Sequence, residues 1–290
     1  MKVIRHKVQD VPFQRARWVG GVIVPEIVIL HDTAGRLETG NSAAYLAKNT
    51  AGVSVHFVVE RDGSITQLVE TNRRANHAGK SSFNGRTDCN GFSIGIEIVN
   101  PGGMSRASGT GSALVGRSWW GEMFFDPSDD VDLVEMKTPE HGAGVWMSYP
   151  QAQIDGLCRL LECLFRDIPS LSDITTHWYV SPGRKVDTNP LFPLDHVKAK
   201  ILGRDDPADT AADEGASAVQ PGSFVQVHSP ASPLNLRRWP SFNPNVIAAI
   251  PHGATLPVFA QREIDGTQWL KVLFDGREGW VVGRYTAKMP

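Results

Sequence analysis

The sequence predicts an α/β domain, a mixed central β-sheet covered by helices, followed by a small all-β module. Three observations carry this. Apolar, β-branched runs of strand length (EIVIL at 26–30, VSVHFVVE at 53–60, FSIGIEIVN at 92–100) are interspersed with segments of helical periodicity. Residues 205–222 are acidic, rich in small residues and poor in apolar ones, the composition of a linker. From 223 to 290 short strand-like runs recur with turn signals between them. The expected organisation is therefore a domain over 1–204, a linker over 205–222 and a β module over 223–290.

The elements follow in order. EIVIL ends directly on His31, so this imidazole stands at the end of a buried strand. SAAYLAKN has helical character, with Ser42 as its expected cap. RDGS at 61–64 is an Asp-Gly turn joining VVE to ITQLVE, which makes a hairpin. In FSIGIEIVN the two-residue period puts Ile94, Ile96 and Ile98 on one face and Glu97 on the other. A carboxylate in mid-sheet is costly unless a metal, a cation or a solvent-filled cleft meets it; a strand-edge glutamate facing water is the simpler alternative. YPQAQIDGLCRLLECLFRD carries the apolar stripe of a core helix, stopped by Pro169, and PLDHVKAKIL is a second helical stretch. Between strand and helix, residues 101–148 form a long insertion, a functional or partly disordered loop by its length. Its Trp119, Trp120, Phe124, Phe125 and Trp146 either line a sugar-binding groove or anchor the insertion by packing.

Composition excludes several classes. With 41% hydrophobic and 21% charged residues the chain is an ordinary globular protein, and a net charge of -2 offers no basic patch for nucleic acid or an anionic membrane. No stretch reaches transmembrane length, so no membrane insertion is expected. Cys89, Cys158 and Cys163 form no paired framework and read as reduced thiols, the last two buried in a helix. The basic start, MKVIRHKVQDVPF, lacks the apolar core of a signal peptide. The expectation is synthesis in the cytoplasm, with export by a holin or a dedicated secretion route if the site of action is the cell wall.

The chemistry-bearing residues are His31 and, ten positions apart, His177 and Asp187 in HWYVSPGRKVD. Two imidazoles and a carboxylate suit a catalytic zinc ion that keeps one position open for water, whereas magnesium or calcium favours more oxygen ligands. Spacing alone does not establish the site. Taken in order, however, IVILHDTAG, VSVHFVVERDGSITQLVE, RRANHAGKSSFNGRTDCNGFSIGIEIVN and THWYVSPGRKVDTNP resemble the zinc-dependent type-2 N-acetylmuramoyl-L-alanine amidases. That family shares its fold with peptidoglycan recognition proteins and small phage lysins. LNLRRWPS, PHGATLPV, WLKV and REGWVV likewise resemble bacterial SH3-type barrels, which target wall peptides, dock proteins or serve structurally.

The resemblance implies one zinc per chain held by His31, His177 and Asp187, with Glu97 as the proton-transferring residue and Lys185 stabilising the oxyanion. It implies His77 as a substrate contact. Arg184 is either an auxiliary cation or a surface residue. His56 reads as a packed histidine, and Asp32, one residue after His31, faces away and is no ligand. The expected partner is peptidoglycan or a muropeptide, and the expected reaction is hydrolysis of the amide between N-acetylmuramic acid and L-alanine by a bacteriolytic enzyme of endolysin type. Alternatives are a cytoplasmic recycling amidase acting on anhydro-muropeptides and a non-catalytic peptidoglycan-binding protein.

Overall fold

The computed structural model of the chain describes residues 1–108, 114–126, 132–203, 223–230, 232–237, 240, 246–264 and 267–289. The chain divides into two compact units, Met1–Asp206 and Pro207–Pro290. The linker expected at 205–222 lies outside the described residues.

The first unit is built on β1 (Ile27–Asp32), α1 (Asn41–Lys48), β2 (Phe57–Val59), β3 (Ile65–Gln67) and β4 (Ser93–Ile98). The insertion contributes β5 (Ser105–Arg106), β6 (Leu114–Arg117), β7 (Met123–Asp126), β8 (Leu133–Thr138) and β9 (Gly142–Met147). Then come α2 (Gln151–Asp167), β10 (Asp173–Thr176), α3 (His177–Val180) and α4 (Leu194–Leu202). The five-stranded sheet has the order β10-β1-β4-β2-β3. Its first four strands are parallel and β3 returns antiparallel through the Asp-Gly turn, so the sheet is mixed as expected.

Every residue of β1 is buried, which is why its sequence is apolar without alternation until it reaches His31. In β4, Ile94, Ile96 and Ile98 are fully buried on the face away from Glu97. Helix α2 buries Leu157, Leu160, Leu161 and Leu164 and packs against β2, each leucine contributing about 1.5–3 kcal/mol. Gln153 on its first turn donates to the carbonyls of Val59 and Val99. The helix ends two residues before Pro169. Helix α1 starts two residues earlier than a Ser42 cap suggested: Gly40, in the left-handed conformation, is the cap, and Ser42 is buried in the first turn. All three cysteines are free and buried.

The insertion is a correction to the loop reading. Its described residues form a three-stranded sheet, β7-β6-β5, and a hairpin, β8-β9. Met104 pairs with Val145 through reciprocal backbone bonds, and Met104, Phe124, Leu133, Val145 and Met147 make a core of their own. Phe124 and Trp146 are buried anchors, whereas Trp119 and Phe125 are exposed. The five aromatics therefore divide into two buried anchors, the half-buried Trp120 and two exposed rings. A two-residue alternation was present in VEMKT and GAGVWM, but short strands that pair only with each other give a weak signal.

The second unit is all-β: β11 (Phe224–Val227), β12 (Leu234–Arg237), β13 (Val246–Ile250), β14 (Thr255–Ile264), β15 (Thr267–Phe274), β16 (Arg277–Val282) and β17 (Thr286–Lys288). They join in one antiparallel sheet, β13-β12-β16-β15-β14-β11-β17. Leu234 and Leu236 enter its core while Asn235 points outward. Gly279 is required where β16 meets β12, because a Cβ there would lie 2.7 Å from the Arg237 carbonyl oxygen. Among the described residues no helix is long and apolar enough to cross a membrane.

Candidate metal centre and catalytic site

Three adjacent parallel strands bring the site together. Register pairs His31 with Glu97, so both project from the same face at the C-terminal ends of β1 and β4. Thr176 pairs with Leu30, and the next residue is His177, which opens α3 beside His31. Asp187 arrives on the following loop, whose backbone is fixed by the Trp178 N–H donating to the Asp187 carbonyl at 2.7 Å.

The donor atoms converge. His31 Nδ1 and His177 Nδ1 are 2.9 Å apart, and Asp187 Oδ2 lies 3.2 and 2.9 Å from them. A tetrahedral ion with zinc-like bonds holds its ligands about 3.3 Å apart, so one cation fits this triangle with little movement. Burial, then the neighbouring His177 ring, lowers His31 to about 4 and keeps it in the neutral, ligating form. Burial opposes ionisation of Asp187, but its bonds to His177 and His31 outweigh this and hold the carboxyl below the usual carboxylate range.

The remaining ring nitrogens are occupied, which directs the Nδ1 lone pairs inward. His177 Nε2 faces the Ala78 carbonyl at 3.2 Å. His31 Nε2 is 2.9 Å from His77 Nδ1, His77 Nε2 is 3.2 Å from Ser93 Oγ, and Ser93 donates to the Cys89 carbonyl at 2.6 Å. One set of tautomers satisfies this whole chain: each ring donates from Nε2, so His31 keeps Nδ1 free. His77, expected as a substrate contact, is half-buried and hydrogen-bonds the ring of the ligand His31. Gly95 makes room, since a Cβ there would lie 2.4 Å from His77 Cγ.

Glu97 sits beside the cluster with its Oε2 buried and without a hydrogen-bond partner. Burial, with Asp187 and Asp32 adding repulsion and Lys185 opposing, pushes its carboxyl well above the usual range. Glu60 Oε2 and Glu70 Oε2 are also buried without partners, and Glu97 is set apart from them by its pairing with His31 in the sheet register. Lys185 is half-buried on the ligand loop, close enough for its charge to act on both Glu97 and His31. Arg184 braces the loops: its guanidinium donates to the Ala78 carbonyl at 2.6 Å and Ser181 Oγ at 2.7 Å. His56 is buried with both nitrogens engaged, by the Arg73 carbonyl and the Gly95 N–H, and stays outside the ligand set.

Asp32 is not among the converging donors, yet it positions one of them. It accepts from Tyr149 Oη at 2.7 Å and from the Asn189 N–H at 2.8 Å, tying β1 to the segment just after Asp187. Asn189 Nδ2 in turn donates to Asn100 Oδ1 and the Met147 carbonyl. His141, at the tip of the β8-β9 hairpin, bonds the Thr188 carbonyl through Nε2 at 2.9 Å. Tyr149, Asn189 and His141 were missed in sequence. The available hint was an aspartate inside an otherwise buried strand, which demands a partner somewhere.

The 1,6-anhydro-N-acetylmuramyl-L-alanine amidase AmpD of Salmonella typhimurium is 29% identical over 150 residues, 51% of this chain and 57% of that protein. The N-acetylmuramoyl-L-alanine amidase CwlA of Bacillus subtilis is 37% identical over 73 residues, 25% of each chain. The chain thus spans little more than half the length of the AmpD relatives it matches. A crystal structure of an AmpD selenomethionine derivative superposes with a TM-score of 0.50 at 21% identity, covering 69% of this chain and 99% of that one, and so shares the fold. A bacterial SH3 domain model matches residues 232–287. The N-acetylmuramoyl-L-alanine amidase model matches residues 22–190, more than half of the sequence and the whole constellation from His31 to Asp187, and the chain belongs to that family.

Proposed function

We propose that the protein hydrolyses the amide between N-acetylmuramic acid and the L-alanine of a peptidoglycan stem peptide, with one zinc ion held by His31, His177 and Asp187. The observation that carries this is the convergence of three donor atoms beside the unpartnered Oε2 of Glu97. When bound, zinc lowers the pKa of a coordinated water to about 7 and polarises the scissile carbonyl. Glu97 Oε2 accepts a proton from the attacking water and passes it to the departing amine nitrogen, which an unassisted amide cannot release. The Lys185 ammonium balances the charge that develops on the carbonyl oxygen. His77 and Asp32 hold the His31 ring and the Asp187 loop in register for this exchange.

The insertion and the SH3 domain support a polymeric substrate met at the cell wall, and a lytic role of endolysin type is the reading we adopt, with export by a holin or a secretion route. A second reading, turnover of small anhydro-muropeptides, is favoured by the names of the AmpD relatives. Mass spectrometry of products from purified sacculi and from a soluble anhydro-muropeptide decides between them. Release of intact stem peptides is the expected result. Release of glycan fragments, or of nothing by zinc-loaded protein, defeats the amidase reading, and His177→Ala should lack stoichiometric zinc by elemental analysis.

A further inference from the structure

The insertion places one aromatic ring where packing does not explain it. Trp119 is 76% exposed, although it is the largest kind of apolar side chain and its indole N–H is already bonded. That N–H donates to the Ala34 carbonyl at 2.7 Å. Ala34 lies three residues after His31, within ~11 Å of chain, so the indole is tied to the segment leaving the ligand strand. A second tie joins the same turn to that segment, since Glu122 lies 3.7 Å from Arg36. Within the turn, Ser118 and Glu122 exchange backbone and side-chain bonds. Below it, Trp119 meets Trp120 edge to face at 5.6 Å, and Trp120 meets the buried Phe124 in the same way at 6.4 Å. The ring is held from both ends and is mostly exposed to solvent.

Resting on the amidase reading, we propose that Trp119 is a glycan subsite, stacking on the sugar adjacent to the N-acetylmuramic acid whose amide is cut. A π-face attracts the weakly positive C–H face of an uncharged N-acetylated pyranose, and a ring that is already fixed loses little entropy on binding. Trp119 thereby favours substrates that continue as a glycan strand over muropeptides that end at the muramic acid. It is a specificity residue and takes no part in proton transfer.

The test compares kcat/KM on uncross-linked glycan strands with that on an N-acetylmuramoyl dipeptide, for the full-length zinc enzyme and its Trp119→Ala and Trp119→Phe variants. For Trp119→Ala the ratio of the two should fall about three- to tenfold. Trp119→Phe, which keeps a face but loses the bond to Ala34, should recover most of it. An N-acetylglucosamine trimer should alter the intrinsic fluorescence of the wild type, and that change should vanish in Trp119→Ala. Equal loss on both substrates, with Phe behaving as Ala, makes Trp119 an anchor of the Ala34 segment and overturns the proposal. So does an unchanged ratio or an unchanged titration. If the wild type cuts neither substrate the amidase reading fails, and the trimer titration alone still decides whether the subsite exists.

Discussion

Glu97 and His56 show how one sheet gives two buried ionisable residues opposite fates. Glu97 has an oxygen without a partner, so its substitution should reveal a functional group: Glu97→Gln is expected to retain zinc and fold while losing turnover by about 100-fold or more. Lys185→Met should also slow the reaction with the metal retained. Activity near wild type on wall fragments in either variant refutes its role. His56 has both nitrogens satisfied, and burial lowers it from 6.5 to about 4. Between those values the unfolded chain binds a proton that the folded chain refuses. Its contribution to stability is therefore complete above pH 6.5 and is lost as pH falls toward 4, about 3 kcal/mol in all. Urea unfolding of wild type and His56→Gln at pH 4.5 and pH 7 checks this: the variant should lose less stability on acidification, and equal losses contradict the assignment.

At the scale of elements, the SIGIE strand does two jobs on one face. Glu97 supplies the carboxylate, and two residues earlier Gly95 leaves the space that the His77 ring fills. Gly95→Ala should force that ring against His31, costing about 1–3 kcal/mol by overpacking and weakening zinc by about tenfold. Thermal unfolding and chelator competition measure the two effects. A variant with normal zinc affinity shows that His77 does not orient its neighbour. The insertion braces the same centre from elsewhere in sequence, with His141 on Thr188 and Trp119 on Ala34. Its strands bear on residues flanking two of the three ligands.

For the whole molecule, each unit has its own buried core, so the part ending near Asp206 should fold alone, keep its zinc and cut a soluble muropeptide. On intact sacculi it should fall behind the full chain if the SH3 domain tethers the enzyme to the polymer, because tethering raises local concentration without altering the chemistry. The informative quantity is the ratio of full chain to fragment on each substrate. Equal losses on both assign the domain a structural role, and no loss on either removes wall targeting.

Local pattern by itself determined the strands that carry His31 and Glu97, the hairpin at the Asp-Gly turn, helix α2 and the face on which each β4 residue lies. These depend on periodicity and on turn chemistry, which act between neighbours in sequence. The ligand set needed more than spacing: His31 and His177 are 146 residues apart, and only the order of motifs linked them. Tertiary structure decided what no local signal encodes. It set the parallel register that aligns His31, Glu97 and His177, and it brought His77 into hydrogen-bond contact with a ligand ring. It gave Asp32 its bonds to Tyr149 and Asn189, and it folded the insertion into strands that bury Phe124 and Trp146 while leaving Trp119 and Phe125 exposed. The physical reason is common to all of these: a buried polar group must find a partner, and which partner it finds depends on chain segments that only the folded core brings within 3 Å.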